Sequence, residues 1–392
     1  QGFMGEGMVI AVFDSGFKDA DKQSYFHHLF QNKKILDTYD FVRGEKSVFE
    51  DDEHGRMTLS CIAAYEINKL VGTAPKADFY LFRTEDASSE FPIEEYNWLK
   101  AAEVADSLGV DIVSSSLGYT DFDDNNSSYQ TYQMDGKTAV SSRAAQILAQ
   151  KGVVVVSSAG NEGGSSWNII SAPADAADIL SIGSVNSREA ISYFSSRGYT
   201  ADGRVKPDVL AMGSSTAVGD NYNKVTFANG TSFSCPTAAG VIAGFWQANP
   251  QLSSKQVLNY IRRSGKQYDT PDAQYGYGVL SFSKAHYLAQ KETTSYGIMT
   301  NKDSTQILCY PNPYPKNNKD TLPTIAWGAS YQGKTIEISI FDSSAKLVFE
   351  EKLANIEKES IINIFATLPK GEYLISIKPN YSQQKSWRWI ID

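Results

Sequence analysis

Three side chains of reactive type stand far apart along this 392-residue chain: Asp14, His54 and Ser232. Asp14 directly follows an apolar run and is followed by Ser15 and Gly16. That places a carboxylate at the carboxyl end of a strand, where open α/β sheets bind ligands, although an aspartate there also serves as an ordinary turn cap. His54 lies in Asp52-Glu53-His54-Gly55, just ahead of a helical pattern over residues 56–67. A neutral imidazole at a helix start facing a cleft accepts a proton near neutral pH; the alternative is a surface histidine among acidic neighbours. His27, His28 and His286 have no comparable setting. Ser232 sits in Asn229-Gly230-Thr231-Ser232-Phe233-Ser234-Cys235-Pro236, where Gly230 and Thr231 permit a tight turn and the serine opens a helix. Its hydroxyl is offered at the positive end of that helix, and Pro236 is expected in the first turn, where its missing N–H costs little. A helix-capping serine is the other reading, but capping alone does not account for the whole string.

The elements that must hold these groups read as βαβ units. Apolar runs at residues 8–13, 77–82, 110–114, 153–157 and 179–185 are short and mostly β-branched, as strands buried on both faces require. Helical spacing over 94–108 and 138–150 ends at Gly109 and Gly152, and 232–248 predicts a central helix made close-packing by Ala238, Ala239, Gly240 and Ala243. Near residue 295 the pattern changes. Runs at 335–341, 346–353, 360–366 and 373–378 are β-rich and separated by turn-prone residues such as Pro369-Lys370-Gly371, which predicts a small β-sandwich. The expected organisation is an α/β domain over 1–294 with a parallel sheet flanked by helices, a polar linker at 295–306 and an all-β domain at 307–392.

Composition narrows the partners. A net charge of −9 leaves no general basic face for nucleic acid. No apolar run reaches the roughly 18–20 residues a membrane span needs. The start at Gln1 lacks the basic and apolar regions of a signal peptide, so the chain reads as a mature form. Three cysteines, Cys61, Cys235 and Cys309, give no disulfide framework and no Cys-x-x-Cys metal pattern. One bridge among them is open to the chain, and buried free thiols are the plainer expectation.

The strings around Asp14 (VFDSG), His54 (EHGRM), Asn161 (SSAGNEG) and Ser232 (NGTSFSCP) resemble the signature regions of subtilisin-like serine proteases, and the triad-type residues fall in that family's order. The resemblance covers about residues 5–290. It implies that Ser232 attacks a peptide carbonyl, that His54 moves the proton, that Asp14 holds the imidazolium, and that Asn161 supplies the side-chain half of an oxyanion hole. Ser116, Leu117 and Gly118 resemble the segment that pairs with substrate backbone, Ser158, Ala159 and Gly160 the opposite wall of the first specificity pocket, and Ser171 a position near its floor. The helix after His54 departs from the family's wording, and Arg56 and Met57 are expected to change the cleft wall. Residues 64–75 are shorter than the family's calcium loop and lack its oxygen ligands. Structural calcium elsewhere stays open, for instance on the acidic run from Asp121 to Asn126, whose plainer reading is a solvated loop; no clear calcium site and no required cofactor are expected. An inhibitory propeptide, absent from this chain, is the implied partner beside protein or peptide substrates.

The tail from Ile307, with Tyr310-Pro311-Asn312-Pro313, resembles C-terminal sorting domains of type IX secretion in Bacteroidota, which implies a secreted or cell-surface protein. An accessory sandwich is the alternative for the tail. Two rivals stand for the whole chain. A non-catalytic binding protein on a protease scaffold would require a lost triad residue, and none is lost. An esterase would require a G-x-S-x-G elbow, which is missing.

Overall fold

The computed structural model describes residues 2–295, 307–310, 324–327, 331, 333–356, 359–361, 368–379 and 385–391. It divides into two compact units, Gln1–Ala289 and Gln290–Asp392. Residues 296–306 of the expected linker fall outside the described residues, as do the Pro311-Asn312-Pro313 motif and residues 362–366 of one predicted strand, while Ser295 ends a helix.

In the first unit the strands are β1 (Val9–Asp14), β2 (Ile35–Asp40), β3 (Tyr65–Glu66), β4 (Leu70–Val71), β5 (Asp78–Arg83), β6 (Ile112–Ser115), β7 (Val154–Ser158), β8 (Leu180–Val185), β9 (Val209–Met212), β10 (Thr216–Gly219) and β11 (Val225–Ala228). The helices are α1 (His27–Gln31), α2 (His54–Ala63), α3 (Ile93–Leu108), α4 (Val140–Gln150), α5 (Thr231–Ala248), α6 (Ser254–Ser264) and α7 (Phe282–Ser295). Seven strands form one sheet in the order β2-β5-β1-β6-β7-β8-β9, parallel at every pairing. Successive side chains of a strand face opposite ways. Ile10 and Val12 therefore enter a core with α2, α5 and α6, while Ala11 and Phe13 enter a second core with Trp98 of α3 and Leu148 of α4.

The five expected core strands and four helices are present, and the sequence reading missed β2 and β9. β2 is an edge strand whose residues are largely exposed or half-buried, so its sequence ILDTYD carries little apolar pattern. The helix predicted over 56–67 instead spans His54–Ala63. It stops because Ala64 turns extended and Tyr65–Glu66 pairs with Leu70–Val71.

The second unit holds two antiparallel sheets, β12 (Ile307–Tyr310), β13 (Thr324–Trp327) and β16 (Glu359–Ile361) in one, and β15 (Leu347–Leu353), β14 (Ile336–Asp342), β17 (Gly371–Pro379) and β18 (Lys385–Ile391) in the other. Ile325 and Trp327 of the first sheet share an apolar cluster with Ile336, Ile338, Ile340, Ile375 and Ile377 of the second, the inward faces of a sandwich.

Candidate active site

β1 lies mid-sheet, with β5 on one side and β6 on the other, so the chain direction across the sheet reverses beside it. Crevices at the carboxyl ends of strands form at such a point. Asp14 ends β1 there, fully buried, and His54 opens α2 beside it with Nδ1 2.7 Å from Asp14 Oδ1. Asp14 Oδ1 also accepts the Ser15 N–H at 2.9 Å, and Oδ2 accepts the Thr58 hydroxyl at 2.8 Å. Gly55 permits this close approach: a Cβ there would sit 2.3 Å from Gly16 O and 2.9 Å from the Asp14 Cβ. Asp52 closes the loop, accepting from the Ser15 hydroxyl at 2.6 Å and from the His54 N–H at 3.2 Å. Burial opposes charge on the imidazole, but the Asp14 charge and hydrogen bond, with the Asp52 charge, outweigh it and raise the His54 pKa above its ordinary 6.5.

Ser232 is the second residue of α5, an 18-residue helix preceded by Gly230 at φ 157°. Its neighbour Phe233 packs against the His54 ring, with centroids 5.9 Å apart. The Ser232 hydroxyl is turned onto the Ser116 carbonyl at 3.5 Å and makes no hydrogen bond to His54; a hydroxyl rotor is free to turn, and such bonds tighten when substrate arrives. Pro236 is not in the first turn as expected but is the sixth helical residue. Its missing N–H leaves the Ser232 carbonyl without its helical donor, and Ser116 Oγ fills that place at 2.9 Å. Ser116 and Ser232 are thus linked both ways, each hydroxyl donating to the other's carbonyl.

A cavity of about 120 Å³ opens beside Ser232, lined by Ser116, Leu117, Gly118, Ser158, Gly160 and Asn161, and also by Thr120, Glu162, Ser171 and Thr231. Asn161 Oδ1 accepts from the Thr231 N–H at 2.8 Å and the Thr231 hydroxyl at 3.0 Å, which fixes the amide so that Nδ2 is its remaining donor group. At Gly118 a Cβ would meet Ser171 Oγ at 2.6 Å, so a side chain there requires that hydroxyl to turn away. Ala159 is the exception among the expected wall residues: fully buried, it packs with Ile170 and Ala174 and is not part of the lining.

Arg56 does not shape the cleft wall. It is 1% exposed and donates to the Lys18 carbonyl and to Glu53, each at 2.9 Å, bracing the start of α2 from behind. Met57 is half-buried against Cys61, Val218 and Phe233. Cys61 and Cys235 are both buried and free, and burial pushes both thiols up to about 12. Asp121, Asp123 and Asp124 are exposed, and Asp124 accepts from Asn126 and Ser127 of its own turn. Sequence reasoning missed Thr58 and Thr231, whose hydroxyls orient Asp14 and Asn161. Thr58 was within reach, since it stands four residues after His54 on one helical face.

The profile of the Subtilase family matches residues 5–278, and that of the secretion system C-terminal sorting domain matches residues 308–392. Subtilisin DY of Bacillus licheniformis is 27% identical over 288 residues, covering 73% of this chain and 93% of that protein. Subtilisin Savinase of Lederbergia lenta is 27% identical over 286 residues, covering the same shares. Among solved structures, a self-cleaved protease domain of PatA superposes with a TM-score of 0.57 at 19% identity, covering 73% of this chain and 97% of that one. A cold adapted subtilisin-like serine proteinase superposes with a TM-score of 0.54 at 21% identity, covering 71% and 89%.

Proposed function

The chain belongs to the subtilase family and is a serine endopeptidase, and we propose that it cuts peptide bonds through an acyl-enzyme formed on Ser232. The sorting domain marks it as a secreted or cell-surface protein. Among the described residues no helix is long and apolar enough to cross a membrane.

The observation that carries the mechanism is the 2.7 Å bond from Asp14 to His54 Nδ1. With Nδ1 protonated and facing the carboxylate, the neutral ring has its lone pair on Nε2, the tautomer a general base needs. Ser232 Oγ attacks the carbonyl carbon, and its proton goes to His54 Nε2. The imidazolium so formed is balanced by Asp14, whose other oxygen is held by Thr58. As the tetrahedral intermediate collapses, the C–N bond breaks and the proton passes from Nε2 to the leaving amine. Water then repeats the sequence and releases the acid.

The developing oxyanion is met by Asn161 Nδ2 and the Ser232 N–H, the latter at the positive end of α5. Substrate backbone runs along Ser116, Leu117 and Gly118, and its side chain enters the cavity bounded by Ser158 and Gly160, with Ser171 as floor. Every group these steps use belongs to the chain, so no organic cofactor is required.

A fluorophosphonate probe tests this directly, applied to wild type and Ser232→Ala with casein cleavage read on the same samples. Labelling and cleavage are expected in wild type and lost together in the variant. Labelling that survives Ser232→Ala would assign the nucleophile elsewhere.

A further inference from the structure

A second cluster of reactive type lies outside the site just described. Glu85, Glu90 and Glu94 each bring a carboxylate oxygen within 4.8 Å of the other two. Glu85 follows β5, Glu94 stands in the first turn of α3, and Glu90 lies on the loop between them. None of the three takes part in an ion pair among the described residues, so three adjacent carboxylates are packed with no protein cation to balance them.

Glu94 supplies the independent observation. It is 2% exposed; its Oε1 accepts the Asp86 N–H at 3.0 Å, while its Oε2 is buried with no hydrogen-bond donor. A buried carboxylate oxygen without a donor is costly, and most such atoms in proteins have a partner. Glu85, 8% exposed, spends Oε1 on the Tyr119 hydroxyl at 2.5 Å and the Thr84 hydroxyl at 3.0 Å. We propose that Glu85, Glu90 and Glu94 bind a calcium ion.

The donor set is all oxygen and carries formal negative charge, which suits a hard divalent cation. Calcium–oxygen distances of roughly 2.3–2.6 Å allow oxygens across the ion to lie up to about 5 Å apart, whereas the tighter magnesium shell allows only about 4.2 Å. Separations of up to 4.8 Å fall within the calcium span. Burial, with like charge from neighbouring carboxylates, raises Glu85 well above the usual carboxylate range and Glu90 to about 7, as expected of a site whose anions lack their counter-ion.

The position gives the ion a consequence for the enzyme. Tyr119, which holds Glu85, directly follows the Ser116 to Gly118 segment and pairs by backbone with Ala172, next to Ser171. Glu90 is tied to the loop after β6, where Asp123 N–H donates to its carbonyl at 2.9 Å and Asp123 Oδ2 accepts its N–H at 3.2 Å. One ion would therefore fix two loops to the first turn of α3, beside the substrate-binding edge.

The test uses the full chain carrying Ser232→Ala, so that autolysis cannot imitate unfolding. Thermal unfolding is followed in EDTA and in millimolar calcium chloride, and terbium luminescence sensitised by Tyr119 is titrated in parallel. Calcium at about 100 times its dissociation constant should raise Tm by roughly 5 °C or more. Terbium should light up and be displaced by calcium. Glu94→Gln and, separately, the half-buried Glu90→Gln should abolish both responses. An unchanged Tm with no terbium signal would overturn the site, as would a response that persists in both variants. A cluster held instead by shared protons would show as a parent chain whose Tm is the same in EDTA and in calcium, which also overturns it.

Discussion

Asn161 does two jobs at once, and two substitutions separate them. Its Oδ1 holds the first N–H and first hydroxyl of α5 through Thr231, at 2.8 and 3.0 Å, while the residue lines the cavity beside Ser232 with Nδ2 as its remaining donor. Asn161→Ala removes both functions. Two lost hydrogen bonds at about 0.5–1.5 kcal/mol each come to about 1–3 kcal/mol of stability. In a domain of this size that is a Tm loss of several degrees, at roughly 2–4 °C per kcal/mol. Loss of one oxyanion donor should lower kcat by about 10²–10³, the range known for the equivalent change in a subtilisin. Asn161→Asp keeps the acceptor, places negative charge at the positive end of α5, and removes only the donor. Its Tm should stay within about 2 °C of wild type while kcat falls at least as far as in the alanine variant. The assay is kcat and KM on a chromogenic peptide beside calorimetry. An aspartate variant within tenfold of wild-type kcat, or an effect confined to KM, would refute the oxyanion role. An alanine variant with unchanged Tm would refute the bracing of α5.

Activity should have an acid limb centred above pH 6.5, because neutral His54 is the base and its neighbours raise its pKa. Asp14→Asn should lower both that limb and the rate, and kcat/KM that stays flat from pH 5 to 9 would exclude the imidazole as base. The same shift works oppositely on stability: a raised folded pKa contributes fully below about 6.5 and is lost as pH rises through the folded value. Asp208, buried between Lys206 and Arg262 at 2.7 Å each, is a structural counterpart. Burial would raise its pKa, but the charges of Arg262 and Lys206 hold it below 3.8, so its contribution is present above that value and lost as pH falls through the folded pKa. Asp208→Asn should cost about 3–5 kcal/mol in urea unfolding at pH 7, and a loss under about 1 kcal/mol would contradict the buried-pair reading. Cys61 and Cys235, in a Cys309→Ser background, should resist a thiol reagent until the chain unfolds; native-state labelling would mean that one of the two is reachable.

The parallel sheet was legible because β1, β5, β6, β7 and β8 are largely buried on both faces and read as short runs rich in apolar and small residues, whereas β2 and β9 were not. β2 is half solvated, too weak a pattern for a local signal. Asp14, His54 and Ser232 announced themselves through neighbouring residues. Thr58, Thr231 and the three glutamates did not, since a threonine mid-helix or a glutamate in a loop is ordinary until folding brings its partner alongside. Arg56 misled for the same reason: charge suggests surface, and only the packing reveals the Lys18 carbonyl and Glu53 waiting for it. Pro236 misled by one turn, and that turn is what gives Ser116 its acceptor.

The crossed pair of bonds between Ser116 and Ser232 bears on motion. A substrate seated along Ser116 to Gly118 rides on the same body as the nucleophile, because the Ser116 hydroxyl stays bonded to the Ser232 carbonyl even after the Ser232 hydroxyl turns to His54. What reactivity requires is a steady separation between attacking oxygen and carbonyl carbon, and a misplacement of about 1 Å can cost 10²-fold in rate. Thermal displacement of the cleft edge is thereby shared by both reactants, so the edge can be soft in the frame of the whole molecule and still stiff in the frame of the reaction.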